Sequence, residues 1–293
     1  MSLFPTAESR SEGLIEALPF IQEFRGHTFV IKYGGAAMED EQIVEKFLRD
    51  IVFLEAVGIN PVLVHGGGKA ITARMRAAGL KTSFVNGLRV TDATAIRIVE
   101  ETLDKEINPA IVRSLHGFGG HAIGLSGKDV FVARRLPPQT LDSGEKMDIG
   151  FVGEAAGMKT AALVEAITNE IVPVISPIGA MRDGTVLNIN ADVAAAALAA
   201  ELKATKLIFV SDVPGIMRDP TAEDSLIPTV TVEQVESLIK QKVIAGGMIP
   251  KVLSAAAALR KGVAKTHLIG GHIQHGLLLE IFTGSGIGSE IVP

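Results

Sequence analysis

The chain has 293 residues, 47% hydrophobic and 21% charged, which suits one large globular domain or two joined lobes. A net charge of −5, one Tyr and no Trp argue against a general nucleic-acid partner. Without Cys there is no disulfide, no thiolate metal site and no Cys nucleophile.

Met1-Ser2-Leu3-Phe4-Pro5 lacks the basic start and apolar core of a signal peptide. No run of about 18 apolar residues exists, so no membrane span is expected and a cytoplasmic location fits. Ala7 to Phe24 has helical spacing, with Leu14, Ile15, Leu18, Ile21 and Phe24 on one face. Pro19 should kink this helix or break it in two. Such a helix, lying before the first strand, packs either on a partner subunit or on its own domain. Four β-branched and aromatic residues, Thr28 to Ile31, read as a buried strand with Lys32 at its C-terminal end, and the turn Tyr33-Gly34-Gly35 follows. Ligands of open α/β sheets bind beyond such strand ends, and glycines let the backbone come close. Lys32 there either meets a ligand or snorkels to water.

Glu39 to Val57 reads as a helix, and Asn60 to Val64 as the second strand. His65-Gly66-Gly67-Gly68-Lys69 then leads into a helix from Ala70 to Ala78. Glycines at one strand-to-helix junction make an anion site from backbone N–H groups. Glycine fills 31 positions of the chain, above the usual ~7%, and such turns are one reason. Neither the Rossmann fingerprint nor the P-loop pattern is present. His65 is either catalytic or bonded to the backbone. Val85-Asn86-Gly87-Leu88-Arg89-Val90-Thr91-Asp92 follows, with Thr91 or Asp92 placed to cap a helix running to Leu115. The fork of Arg89 suits a carboxylate ligand, but a structural ion pair fits it as well. His121 to Leu125 is a third strand. Val130 to Val152 alternates short β pieces with Pro137-Pro138 and Asp142-Ser143-Gly144, which predicts hairpins over a site. Val172 to Ile175 is a further strand.

The second half repeats this logic. Asn188-Ile189-Asn190-Ala191-Asp192 opens an Ala-rich helix, Val193 to Leu202, with more polar groups than capping requires. The strand Lys206 to Val210 ends in Ser211-Asp212-Val213-Pro214-Gly215-Ile216. Thr231 and Gln234 are placed as a capping box for the helix Val232 to Lys240. Gly246-Gly247-Met248-Ile249-Pro250-Lys251 leads into the helix Val252 to Leu259. A strand at Thr266 to Ile269, an apolar stretch at Leu277 to Phe282 and a glycine-rich turn to Ser289 follow. No low-complexity linker divides the halves, so one body with two lobes is expected.

These motifs, in this order over nearly the whole chain, resemble the amino acid kinase family. Asn86-Gly87-Leu88-Arg89-Val90-Thr91 and Asn188-Ile189-Asn190-Ala191-Asp192 resemble its acetylglutamate branch. The resemblance implies an open αβα sandwich with a mostly parallel central sheet. It implies an oligomerisation helix in residues 1–25, an acetylglutamate-binding lobe with the dimer contact in 26–179, and an ATP lobe in 180–293. The implied reaction moves the γ-phosphoryl of ATP to the side-chain carboxylate of N-acetyl-L-glutamate. Lys32 and Lys251 then flank the phosphoryl group, and Asp192 orients them. Gly34, Gly35, Gly67 and Gly68 offer N–H groups to phosphate and acceptor, with Gly34 and Gly35 on the nucleotide side. Arg89 holds the α-carboxylate and Asn188 the acetamido end, with Asn190 beside them. Asp212, Val213, Gly215, Ile216 and Met217, with Val243, Gly246 and Gly247, form the nucleotide pocket. Mg2+ arrives on the ATP phosphates, so no metal cage of side chains is expected. The N-terminal helix resembles that of arginine-inhibited members, which are hexamers built as trimers of dimers. His267, Glu280 and Gly286 match their L-arginine site, although Phe20 stands where many of them have tyrosine.

The residues agree with that chemistry. The acceptor carboxylate, with a pKa near ~4.3, is already ionised at neutral pH and needs no general base. The reaction needs alignment and charge neutralisation, which lysines and glycine N–H groups supply. The rivals are carbamate, aspartate, glutamate or nucleoside monophosphate kinases of the same family, disfavoured by Arg89 in its context. A catalytically idle arginine sensor is disfavoured by the two retained lysines, and a dehydrogenase by the missing fingerprint.

Overall fold

The structure is a computed structural model that describes residues 7–38, 40–141 and 143–293. The expected helix start at Glu39, the turn residue Asp142 and the N-terminal Met1 to Pro5 lie outside the described residues.

Eight strands form the central sheet: β1 (Thr28–Tyr33), β2 (Asn60–His65), β3 (Ala122–Leu125), β4 (Val172–Ile175), β5 (Lys206–Ser211), β6 (Thr229–Thr231), β7 (Lys265–Gly270) and β8 (Ser289–Val292). Their order is β6-β8-β7-β5-β1-β2-β4-β3, and only the β7–β8 pair is antiparallel. β1 thus sits between β2 and β5, strands from the two halves of the chain. The strands of the first half lie on one side of β1 and those of the second half on the other, so the chain changes side there and a crevice opens beyond the carboxyl end of β1.

All of β1 except Thr28 is buried, as expected for a parallel strand covered on both faces. Its side chains alternate between two cores. Phe29, Ile31 and Tyr33 pack with Phe47, Leu48 and Ile51 of α2 (Glu41–Ala56). Val30 faces the other way, with Val62, Leu207 and Phe209, against the alanines of a helix at Ala191–Glu201. Lys32 shares the face of Val30, so its ammonium is aimed at that alanine-rich helix.

The N-terminal helix, α1 (Ala7–Phe24), runs through Pro19 without the expected break. Pro19 and Ile15 are exposed, so the Ile15 carbonyl that loses its bond faces solvent. The expected helix from Asp92 also has an unforeseen feature. After α3 (Gly68–Ala77), it starts as α4 (Ala93–Glu101), widens to a π-helix over Thr102–Ile107, and continues as α5 (Asn108–Gly117). Pro109 follows at once; it has no N–H for the Lys105 carbonyl, and the wider turn absorbs the defect. Asp92, rather than Thr91, caps α4, accepting from the Thr94 and Ala95 N–H groups.

The expected hairpins are present. Phe131–Arg135 and Val152–Met158 pair, and with Ile178–Ala180 and Val186–Ile189 they close a small barrel. Between them, Gln139–Thr140 pairs with Lys146–Met147. This excursion packs Leu136, Leu141 and Ile149 on Val85 and Leu88. Among the described residues no helix is long and apolar enough to cross a membrane.

Candidate active site

A cavity of about 660 Å³ opens at the carboxyl ends of β1 and β2. Lys32, Gly35, Gly67, Gly68, Arg89, Asn188, Asn190 and Asp192 all line it. Residues from four separate stretches of sequence therefore meet in one place.

Asn190 caps the alanine-rich helix (Ala191–Glu201), its Oδ1 accepting from the N–H groups of Asp192 at 2.9 Å and Val193 at 3.3 Å. The cap fixes Asp192 in the first turn, where the helix dipole favours a carboxylate. Asp192 Oδ1 lies 3.1 Å from Lys32 Nζ, and its Oδ2 lies 2.8 Å from Lys251 Nζ. Lys251 comes from the first turn of the helix Met248–Arg260, where Pro250 costs no hydrogen bond. Burial is the main influence on Lys32 and lowers its pKa; Asp192 opposes this and Lys251 adds to it. Burial alone raises Asp192, but the two ammonium groups outweigh it and hold the carboxylate below its usual range.

Arg89 reaches the cavity from a short ribbon, Phe84–Val85 paired with Leu88–Arg89. The turn between them is Asn86-Gly87, both with positive φ of 51° and 78°, as a tight hairpin requires. Arg89 Nη2 donates to Gly68 O at 2.7 Å and Thr72 Oγ1 at 2.9 Å, and Phe84 lies 4.8 Å below the guanidinium. Nη1 meets Met75 Sδ at 3.6 Å. None of these partners is a carboxylate. Burial lowers the Arg89 pKa, yet arginine stays charged. Lys32 and Lys251 therefore share Asp192 while the hydrogen-bond partners of Arg89 are neutral, which leaves positive charge at the cavity.

The glycine turn is fixed by its neighbours. Gly35, at φ +78°, lies so near Asp212 that a Cβ would collide with its carboxylate. A Cβ on Gly34 would fall 3.0 Å from Lys32 Nζ. His65 is fully buried, with Nδ1 at 2.9 Å from Gly66 O, so the backbone-bonded reading is the one observed.

The amino acid kinase family model matches residues 27–270. The acetylglutamate kinase of Akkermansia muciniphila is 51% identical over 281 residues, covering 95% of this chain and 94% of that protein. The chain belongs to the amino acid kinase family. Among solved structures of the fold, N-acetylglutamate synthase from Neisseria gonorrhoeae, complexed with coenzyme A and N-acetyl-glutamate, has a TM-score of 0.84 at 29% identity. The match spans 97% of this chain and 63% of the synthase. The same synthase complexed with coenzyme A and L-arginine matches at a TM-score of 0.79 and 27% identity, over 96% of this chain and 65% of that one.

The remaining residues singled out by resemblance to this family lie around the cavity's rim or apart from it. Asp212 stands at the end of β5 against Gly35. Gly215, Ile216, Met217 and Val243 do not line the cavity: Ile216 is buried, its N–H held by Ser289 Oγ at 2.8 Å, and Val243 packs against the core. Val213 is exposed, and Gly246 and Gly247 face open space before Lys251. His267, Glu280 and Gly286 do come together on the far side of β7. His267 Nδ1 is 2.7 Å from Glu280 Oε1, and Gly286 lies beside the same carboxylate. Glu280 Oε2 also accepts from the N–H groups of Ile287 at 2.7 Å and Gly288 at 3.0 Å. Thr72 and Phe84, which hold Arg89, and Met38 and Lys69, which line the cavity, were missed. The Asn86-Gly87 dipeptide was a signal for the ribbon and hence for Phe84 opposite Arg89.

Proposed function

We propose that the chain is an ATP-dependent kinase that phosphorylates the side-chain carboxylate of N-acetyl-L-glutamate. The observation that carries this is the charge balance of the cavity: a buried Arg89 with no carboxylate partner among the described residues, beside two lysines on one aspartate. N-acetylglutamate is a dianion, and ATP brings further negative charge. Arg89 takes the α-carboxylate and Asn188 the acetamido group. The ionised side-chain carboxylate attacks the γ-phosphorus; its new O–P bond forms as the bond to the bridging oxygen breaks, and ADP leaves with that electron pair. Lys32, Lys251 and the glycine N–H groups neutralise the phosphoryl oxygens. Asp192 keeps the two ammonium groups apart and in place.

Magnesium enters this scheme as an ion carried largely on the ATP phosphates. Asp192 is already paired with Lys32 and Lys251. When bound, the ion neutralises phosphate charge.

Nucleotide binding belongs to the 180–293 half, around Asp212 and the Gly246-Gly247 turn. Acceptor binding and the dimer contact belong to 26–179. L-Arginine acts as a feedback inhibitor in this scheme, a role supported by the gathering of His267, Glu280 and Gly286. A hexamer built through α1 is supported by the exposure of Leu14, Ile15 and Leu18.

The test is ATP-dependent acyl-phosphate formation, trapped with hydroxylamine, on N-acetylglutamate, glutamate, aspartate and carbamate. Turnover with N-acetylglutamate alone is expected. Preference for another acceptor, or tight arginine binding without turnover, overturns the assignment.

A further inference from the structure

The Gly66–Gly68 turn shows an unusual division of its polar groups. All three carbonyls are taken: Gly66 O by His65 Nδ1, Gly67 O by the Ile71 N–H at 2.9 Å, and Gly68 O by Arg89 and by Thr72 Oγ1 at 2.7 Å. The N–H groups of Gly67 and Gly68 have no acceptor among the described residues, and both residues line the cavity. Adjacent glycines offer no steric barrier to rotation of the peptide plane between them. Something must therefore choose its direction.

We propose that His65 is a positioning residue that sets the direction of the Gly66–Gly67 peptide. In a trans peptide the C=O and the next N–H point opposite ways. No peptide bond among the described residues is cis. A Gly66 carbonyl held inward by His65 thus turns the Gly67 N–H outward, toward the ligand. Rotation of that plane would place a carbonyl oxygen against the transferred phosphoryl group instead.

The imidazole is itself oriented. A carbonyl only accepts, so Nδ1 carries the proton and Nε2 is the acceptor. Asn108 Nδ2 lies 3.3 Å from Nε2 and also donates to Val174 O at 2.8 Å. Burial holds His65 down at about 4, so the ring stays neutral and keeps this tautomer at physiological pH. Asn108 sits at the end of the π-helix, its N–H bonded to Leu103 O, five residues back. The same wide turn sets Leu103 and Ile107 against Gly67, where a Cβ would lie only 2.6 and 2.8 Å from them. Gly124 leaves space for Asn108, since a Cβ there would collide with its Oδ1. The π-helix therefore supplies both the wall behind the glycine turn and the group that orients His65.

The proposal rests on the kinase reading, and its test separates the two. His65→Leu fills the same space without a donor. His65→Asn restores an N–H close to the position of Nδ1. His65→Leu should lower kcat by about 100-fold, the loss typical of one misdirected backbone donor, while KM for N-acetylglutamate changes by less than about threefold. His65→Asn should recover at least about tenfold of that loss. A crystal structure of His65→Leu should show the Gly66–Gly67 peptide rotated. Equal losses in both variants in step with a fall in melting temperature mark His65 as purely structural and overturn the idea. So does a peptide that keeps its direction in His65→Leu. If the wild-type protein makes no acyl phosphate, the kinase reading fails, and the peptide direction still decides the role of His65.

Discussion

Lys32 and Lys251 are 219 positions apart in sequence, yet both ammonium groups meet Asp192. A buried ion pair is weak grounds for stability, because desolvation offsets most of the attraction. Two cations on one anion make better sense as charge stored for a ligand. Lys32→Ala and Lys251→Ala should each lower kcat far more than they raise KM, by on the order of 2–4 kcal/mol of transition-state stabilisation. Steady-state kinetics with both substrates decides it; near wild-type kcat in either variant removes that lysine from the mechanism. Arg89 is expected to act on binding instead. Its guanidinium is steadied by Gly68 O, Thr72 and the Phe84 ring, and lysine cannot reproduce that planar geometry. Arg89→Lys should raise KM for N-acetylglutamate and leave KM for ATP nearly unchanged. Equal weakening of both makes Arg89 a structural residue.

The strands β1, β2 and β5 were legible because each carries a continuous apolar run with a glycine or polar stop. The polar ends of those runs also marked Lys32, the glycine turn and Asp212. The short barrel strands Ile178–Ala180 and Val186–Ile189 were not foreseen, since three or four residues carry no period of their own. Nor was β8, hidden behind the last glycine turn, or the helix Ala161–Thr168. The π-helix was not foreseen either: its local sign is Pro109, which leaves the Lys105 carbonyl without a donor but does not by itself distinguish a wider turn from a break. That Lys32, Asp192 and Lys251 meet was implied by family resemblance and not by spacing. One link between elements was invisible in sequence. Asp50 of α2 is 1% exposed, and its Oδ1 lies 2.5 Å from Nδ1 of His275, which precedes the helix Gly276–Phe282. Burial pushes Asp50 up to about 6, against the opposing effects of His275 and the backbone N–H groups of Leu278 and Leu277. A carboxyl raised above its unfolded value binds more protons when folded, so this group's contribution falls as pH rises from about 4 to about 6. The change is about 3 kcal/mol. The melting temperature of wild type minus that of Asp50→Asn should shrink as pH is raised across that window. A flat difference would show that Asp50 titrates normally.

Taken as a whole, the molecule buries its two sheet faces but leaves α1 half used. Phe20, Ile21 and Phe24 pack on the chain's own core, while Leu14, Ile15 and Leu18 stay exposed. The inner end of α1 is also connected to the proposed arginine site. Lys206 Nζ lies 5.0 Å from the Phe24 ring and 3.1 Å from His267 Nε2, and His267 in turn holds Glu280. Arginine inserted beside Glu280 must disturb this chain, and the disturbance reaches the root of α1. For arginine to inhibit, it must bind better to the state in which the lobes stay apart than to the state closed on both substrates. Glu280 already accepts three hydrogen bonds, so a guanidinium has to share its remaining lone pairs. Phe20 offers no hydroxyl to help. Deleting residues 1–25 should give an active, smaller oligomer that arginine no longer inhibits. Because that deletion also removes buried Phe24, a second variant with Leu14, Ile15 and Leu18 each changed to Gln keeps the core and removes only the exposed apolar face. It too should sediment as the smaller species. Glu280→Ala should abolish inhibition without changing the oligomer. Sedimentation velocity and arginine titrations of activity on the three variants are decisive. If the deletion or the triple Gln variant keeps the wild-type size, α1 builds no assembly; if Glu280→Ala stays fully arginine-sensitive, the effector binds elsewhere.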